Sequence, residues 1–186
     1  MIARRALGAL AVAAFAAGMA GCSGSGGAVA TTPTPEPPPT GTGYFVGSGS
    51  GGIGGSLDFH GEDPVSEAID QALIAQAGQA GVVPSVGIAS MINEGTRPVV
   101  APRFVAVLEG DNGAIPIEPA KDALHPGDGP AARRALRLLA RVPTRVPPGG
   151  AATFYVVLRG ISAAEVGSVK MVVRSGHPIT LQARRR

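Results

Sequence analysis

The sequence predicts a mainly β protein: an antiparallel β-sandwich of about six or seven strands, preceded by one short helix and a long disordered N-terminal region. Two observations lead to this fold class. From residue 82 onwards, apolar residues recur at every second position, and turn residues separate these runs. Before residue 62, glycine and proline are abundant; the whole chain of 186 residues contains 28 Gly and 17 Pro. This is too much Gly and Pro for one compact domain that is helical throughout.

The beginning of the chain has the pattern of a secretory signal peptide. Arg4 and Arg5 form a positive n-region, and an uncharged, alanine-rich stretch follows over residues 6–21. This stretch is shorter than the roughly 20 residues that a membrane-spanning helix needs. We therefore expect residues 1–21 to be removed after export.

The single cysteine of the chain, Cys22, lies at the predicted cleavage site. The preceding residues, Met19-Ala20-Gly21, resemble the bacterial lipobox, in which an apolar residue and two small residues precede a cysteine. The resemblance implies that Cys22 receives a diacylglycerol and becomes the first residue of the mature protein. Met19 departs from the commoner leucine, but it is also apolar. Because two or more acyl chains hold a protein stably on a bilayer, we expect a protein anchored on the bacterial cell membrane or outer membrane, with its domain outside the cytoplasm.

Residues 22–61 are predicted to form a disordered tether behind the anchor. Thr31–Thr40 is proline-rich and favours extended polyproline II, whereas Gly41–Gly61 is rich in Gly and Ser and favours a flexible coil. Two apolar islands, Tyr44–Val46 and Leu57–Phe59, interrupt this segment. A free linker does not need them, so they either dock on the domain, for example as an added edge strand, or form a motif that binds a partner.

Residues 62–81 are predicted to form a helix that packs on the domain. Asp63 can cap this helix, Pro64 suits its first position, and Glu67 favours the positive end of the helix dipole. The apolar residues that follow give the helix one modestly hydrophobic face.

The predicted sandwich occupies residues 82–186. Apolar side chains alternate along segments 86–92, 103–109, 153–159, 168–174 and 179–182. Gly110–Gly113 predicts a hairpin turn, with its return strand at Ile115–Ile117. Residues 131–141 are ambiguous, because good helix formers dominate but Leu136 and Leu138 would alternate in a strand. We expect a short helical turn that leads into a strand.

Two segments resemble parts of bacterial Ig-like lipoprotein domains. Val86–Arg97 is similar to the strand and Asn-x-Gly turn near the start of such domains, and Val146–Arg159 is similar to their late Pro-Gly turn and Phe/Tyr-rich strand. The resemblance implies an Ig-like fold behind a lipobox and a low-complexity tether. It carries no catalytic residues.

The sequence offers little for catalysis or for metal binding. Its three histidines lie in Gly- or Pro-containing segments without the ligand spacing of metal sites: His60, His125 and His177. Met91 and Met171 could suggest a copper carrier, but their strand positions favour core packing. The G-x-S-x-G pattern at Gly47–Gly51 lies in the predicted tether rather than at a strand-to-helix turn. We predict no catalytic residue, no metal and no cofactor.

The charge balance gives no basis for nucleic-acid binding. The chain has 16 basic and 13 acidic residues, and loss of Arg4 and Arg5 with the signal peptide brings the two counts closer. Basic residues cluster over Arg133–Arg145, where a solvated face is the default interpretation. The alternative is contact with an envelope protein, an anionic polymer or lipid headgroups.

Two functions fit a non-enzymatic envelope lipoprotein of this kind. The domain could bind or scaffold another envelope component, or it could carry a small apolar ligand held between the sheets. An apolar cavity of several hundred Å³ would favour the carrier. A hydrolase is a third hypothesis, but no nucleophile–base pair is visible in the sequence.

Overall fold

The structure is a computed structural model, and it describes residues 43–77, 83–111, 113–174 and 178–185. The predicted signal peptide, Cys22 and the proline-rich part of the predicted tether lie outside these residues. The strands are β1 (Tyr44–Ser48), β2 (Ile53–Asp58), β3 (Ser85–Asn93), β4 (Val99–Val100), β5 (Arg103–Leu108), β6 (Ala114–Pro119), β7 (Arg145–Val146), β8 (Gly150–Leu158), β9 (Val166–Val172) and β10 (Ile179–Ala183). The helices are α1 (Pro64–Ala77), α2 (Ala120–Ala123) and α3 (Pro130–Leu139).

Eight of the described strands form a closed antiparallel barrel. Their order is β1-β10-β9-β5-β6-β8-β3-β2, and pairing of β2 with β1 closes the ring. β4 and β7 pair with each other in a separate two-stranded sheet. The predicted sandwich, and the Ig-like fold that the resemblance implied, are therefore wrong: the sheet closes on itself instead of splitting into two packed layers.

The β1–β2 hairpin is the physical reason for this difference. It lies within the segment 22–61 that the composition assigned to a disordered tether, and it includes both apolar islands. Phe45 and Leu57 come from these islands, lie opposite each other in the hairpin and are fully buried. β1 pairs with β10 and β2 pairs with β3, so the hairpin joins the two strands that a sandwich would leave at its edges.

The glycines of this hairpin serve close packing. Gly47 and Gly55 are strand partners, and a Cβ atom placed on Gly55 would lie 2.7 Å from the Sδ atom of Met171. A side chain at this position would therefore displace a core methionine. Glycine in a strand often marks such a close approach, and the same composition also occurs in flexible coils.

Alternate side chains of the strands fill the barrel interior. The largest fully buried ones include Phe45, Leu57, Met91, Met171 and Leu181. The strands predicted over 86–92, 103–109, 153–159, 168–174 and 179–182 are confirmed as β3, β5, β8, β9 and β10, and the predicted return strand is confirmed as β6.

A second apolar cluster lies outside the barrel, where α1 packs on β3 and α3 packs on α1. It joins Ile69 and Leu73 of α1 to Ala135 of α3 and to Val86 and Val157 of the two strands. The helix predicted over 62–81 is confirmed as α1 through residue 77, the last of its residues described before residue 83. None of the described helices is both long and apolar enough to cross a membrane.

The ambiguous segment 131–141 is helical up to Leu139, so the strand expected at its end is wrong. In α3, Ala132 and Ala135 are fully buried whereas Arg133, Arg134 and Arg137 are exposed. A strand over residues 136–140 would turn Leu138 and Leu139 to opposite faces, because side chains alternate in a strand. In the helix, Leu136, Leu138 and Leu139 all pack against the second apolar cluster.

Candidate functional site

The candidate site is an opening in the barrel wall beside the middle of β8, where Phe154, Tyr155 and Val156 line it. On one side, β8 pairs with β3 along its whole length. On the other side, it pairs with β6 only at Val156 and Val157. Over residues 150–155, this second edge of β8 therefore has no strand partner within the described part of the chain. We call the opening the wall cleft.

The end of β6 explains why its pairing with β8 is short. Residues 114–117 pair with β5 along the opposite edge of β6, and the chain leaves the barrel in α2 directly after Pro119. Because Glu118 pairs with Val157 and Pro119 with Val156, the residues of β8 before Val156 lie opposite a part of the chain that is no longer a strand. Pro119 has no N–H to donate, which suits the end of a strand.

The wall cleft has a volume of about 430 Å³ and an apolar floor. The floor consists of four side chains that belong to the barrel core: Phe104, Ile117, Phe154 and Val156. Leu139 at the end of α3 and residues 140 and 142–144 after it form one wall, and Val100 at the end of β4 and residues 101–102 after it form another. The cleft therefore reaches from solvent to the core of the barrel.

Charged side chains stand at the rim of the wall cleft. Arg103 at the start of β5, and Lys121 and Asp122 in α2, line the cleft and are exposed to solvent. The rim thus combines exposed charge with an apolar floor beneath it.

Tyr155 forms part of the lining and is fixed by the beginning of α1. Its Oη atom donates a hydrogen bond of 2.7 Å to Oδ2 of Asp63. The other carboxylate oxygen of Asp63 accepts the backbone N–H groups of Val65 and Ser66 at 2.8 and 2.7 Å, which caps the helix. One carboxylate therefore holds both α1 and a wall of the cleft.

The pKa values of this pair are shifted in opposite directions. Burial raises the pKa of the Asp63 carboxyl, but the hydrogen bonds from Tyr155, Ser66 and Val65 outweigh burial and hold it below its ordinary value of 3.8. Burial, and then the hydrogen bond to Asp63 and its negative charge, raise the pKa of the Tyr155 phenol well above its ordinary value. At neutral pH, Asp63 is therefore a carboxylate that accepts a hydrogen bond from the neutral phenol of Tyr155.

None of the candidate site residues that the structure describes belongs to the lining of the wall cleft. Cys22, the predicted lipidation site, lies outside the described residues. The arginines of the Arg133–Arg145 region are exposed along α3 and the segment that follows: Arg133, Arg134, Arg137, Arg141 and Arg145. Contact of this region with an envelope protein or an anionic polymer stays a prediction.

The other candidate residues are dispersed. Met91 and Met171 are fully buried in the barrel core, which confirms the packing interpretation. His60 and His125 are exposed in separate turns, and His177 lies outside the residues that the structure describes. Among the described residues, no group of three or more His, Cys, Asp or Glu side chains is placed to hold a metal ion.

The G-x-S-x-G pattern at Gly47–Gly51 spans the end of β1 and the turn into β2. A nucleophile elbow needs a strand that turns sharply into a helix. Here a second strand follows the turn, so the pattern does not form such an elbow.

The sequence predicted the strands that supply most of the floor of the wall cleft, but not the opening above it. Phe104, Phe154 and Val156 lie in segments 103–109 and 153–159, where apolar side chains alternate. The signal that could have located the opening is Pro119, because a proline donates no N–H and marks the place where β6 ends. Which neighbour loses its partner depends on strand order, which only the barrel topology reveals.

Comparisons with known proteins give little further information. No family model matches the chain, and no curated protein sequence matches it. One similar solved structure is that of a conserved hypothetical protein from Bacillus anthracis, with 12% sequence identity and a TM-score of 0.36. The match covers 74% of this chain and 94% of that chain. At this similarity it contributes nothing to the assignment of a function.

Proposed function

We propose that the protein is a lipid-anchored, non-catalytic protein of the bacterial cell envelope, and that its barrel binds a small apolar ligand in the wall cleft. The wall cleft is the observation that carries this proposal. Small-molecule sites are concave, mostly apolar and roughly 300–1,000 Å³ in volume. At about 430 Å³, with a floor of Phe104, Ile117, Phe154 and Val156, the wall cleft has these properties.

The same observation favours a carrier over a scaffold. A scaffolding surface needs an extended patch that is complementary to a partner protein, of about 800 Å² on each side. The wall cleft is concave and its apolar side chains lie below a charged rim, which suits a ligand that enters it. Its described lining contains Thr144 and Tyr155 as hydroxyl groups and no histidine or cysteine, and the Tyr155 hydroxyl is already engaged by Asp63.

The anchor is the second part of the proposal, and the lipobox pattern at Cys22 supports it. If residues 22–43 act as a flexible tether, they would hold the barrel on the order of 25 Å from the lipid surface. This distance would keep the wall cleft near the bilayer, where apolar molecules accumulate.

Binding of N-phenyl-1-naphthylamine, an uncharged apolar dye whose fluorescence rises in apolar sites, tests the carrier. We expect the wild type to bind the dye. Ala140→Trp adds a large side chain at an exposed position of the cleft lining and should weaken dye binding about tenfold or more. Ala151→Trp is the matched control, because Ala151 is exposed on β8 but does not line the cleft.

Equal dye affinity in the two tryptophan variants would remove the wall cleft as the binding site. No dye binding by the wild type would contradict the carrier and leave scaffolding as the better interpretation.

The anchor has its own test in the Cys22→Ala variant. We expect the wild type to incorporate a radiolabelled fatty acid and to sediment with membranes, and the variant to do neither. A labelled, membrane-bound Cys22→Ala variant would contradict the lipid anchor without affecting the cleft.

A further inference from the structure

We infer that the ligand of the wall cleft is an amphiphile with an anionic headgroup, a carboxylate or a phosphate, and this inference rests on the proposed function. The charge at the rim is its basis. Arg103 and Lys121 line the cleft and are exposed, and Asp122 is the acidic residue of the described lining.

Two further arginines flank the walls of the cleft. Arg141 directly follows the lining residue Ala140, which comes just after α3. Arg145 is the strand partner of Val100, which also lines the cleft. Within the described residues, none of these four basic side chains has a carboxylate at ion-pair distance. The rim is therefore positive, and its cations are available to a ligand.

The arrangement of charge and apolar surface selects a ligand with two parts. An apolar tail can cover Phe104, Ile117 and Phe154 on the floor. An anionic head at the rim would accept charge-assisted hydrogen bonds, which are stronger than bonds between neutral groups. An arginine fork matches the geometry of both carboxylate and phosphate, whereas a neutral head would leave the rim cations without a partner.

Displacement of bound N-phenyl-1-naphthylamine from the full-length protein measures this preference directly. The competitors are dodecanol, dodecanoate and dodecyl phosphate, which share one tail and differ in the head. Each is used below the concentration at which it forms micelles or separates from solution. We expect both anions to displace the dye at about tenfold lower concentration than dodecanol at low salt. We call this ratio of displacing concentrations the advantage of the anions, and we expect it to be smaller at high salt. The stronger of the two anions identifies the headgroup.

Charge variants at the rim provide the controls. The double variant Arg103→Gln/Lys121→Gln should reduce the advantage of the anions to about twofold or less, and Asp122→Asn should increase it. The anions and dodecanol are compared within each variant, so a change in dye affinity does not alter the comparison. The double variant Arg134→Gln/Lys170→Gln removes the same charge from exposed positions outside the cleft lining, and it should leave the advantage unchanged.

Three outcomes separate this inference from the proposed function. If the dye binds but the anions and dodecanol compete equally, the ligand is not an anionic amphiphile, and the carrier survives. If the control variant lowers the advantage as much as the rim variant does, general charge and not the rim is responsible, and the inference is wrong. If the dye and all three competitors fail to bind, the proposed function is wrong and the inference falls with it.

Discussion

Asp63 joins two parts of the molecule through one side chain. Its carboxylate caps α1 and accepts the Tyr155 hydroxyl on the outer face of β8, beside the wall cleft. The sequence predicted the capping role, because an Asp before Pro64 is typical of a helix start. It could not predict the bond to Tyr155, since the two residues are far apart in the chain and only packing of α1 on β8 brings them together.

The Tyr155→Phe variant should show a stability defect that is largest at neutral pH. At pH 7 we expect a loss of about 1 kcal/mol in the free energy of unfolding, because a partly exposed hydrogen bond is removed. The folded pKa of Asp63 lies below 3.8, so its contribution is present above that value and is lost as pH falls through the folded pKa. The folded pKa of Tyr155 lies above 10.0, so its contribution is present below that value and is lost as pH rises through the folded pKa.

Urea unfolding of both proteins across the pH range checks this expectation. The difference between wild type and Tyr155→Phe should form a plateau between these two values and shrink on either side. A difference that stays constant from acid to alkaline pH would mean that the Asp63–Tyr155 hydrogen bond does not contribute to stability.

Asn93 fixes the end of β3 to the chain around it. The sequence indicated a turn residue in an Asn-x-Gly pattern, but the side chain is buried. Its Nδ2 atom donates to the Arg97 carbonyl at 2.8 Å and also lies within bonding distance of the Val146 and Pro147 carbonyls, while its Oδ1 accepts the Gly95 N–H. Period and composition cannot show this role, because it depends on β7 lying beside β3.

Replacement of Asn93 by alanine should lower the free energy of unfolding by about 2 kcal/mol, since buried carbonyl groups lose their donor. Gln182→Ala removes an exposed amide from β10 and should change stability by about 0.5 kcal/mol or less. Thermal denaturation of the two variants compares them directly. Equal stabilities would show that other contacts hold the end of β3.

At the scale of elements, α1 and α3 approach each other through small side chains. Ala68 and Ala72 of α1 and Ala132 and Ala135 of α3 are all buried in the cluster outside the barrel. The sequence indicated a helix for α1 because capping and periodicity agreed. It left α3 open, because the choice between helix and strand depended on which partner its alanines and leucines would meet.

The Ala72→Leu variant tests this close approach. The added methyl groups should clash in a filled interface and lower the free energy of unfolding by about 1–3 kcal/mol. Ala75→Leu makes the same change at an exposed position of the same helix and should alter stability by about 0.5 kcal/mol or less. If Ala72→Leu is as stable as Ala75→Leu, the interface has room that the structure does not show.

At the scale of the whole molecule, the individual strands were predictable but their arrangement was not. Period-two patterns located β3, β5, β8, β9 and β10 because one face of each is buried. The closing hairpin escaped because β1 and β2 carry so many glycines that composition indicated a coil. The barrel and the sandwich differ mainly in whether β3 and β10 receive partners, and those partners came from the segment that had been assigned to the tether.

Truncation of the N-terminal region distinguishes the closed barrel from a sandwich that begins later in the chain. A chain that starts at Gly43 should keep the thermal stability of the mature protein, because it retains the whole barrel. A chain that starts at Asp63 should fail to fold cooperatively: it loses Phe45 and Leu57, each worth about 1.5–3 kcal/mol when buried, and it leaves edges of β3 and β10 unpaired.

Limited proteolysis of the mature protein should correspondingly leave a resistant fragment that begins before Tyr44, as measured by intact mass. A stable, folded fragment that begins near Val65 or Val82 would contradict the barrel, since neither β1 nor β2 would then be needed for the fold.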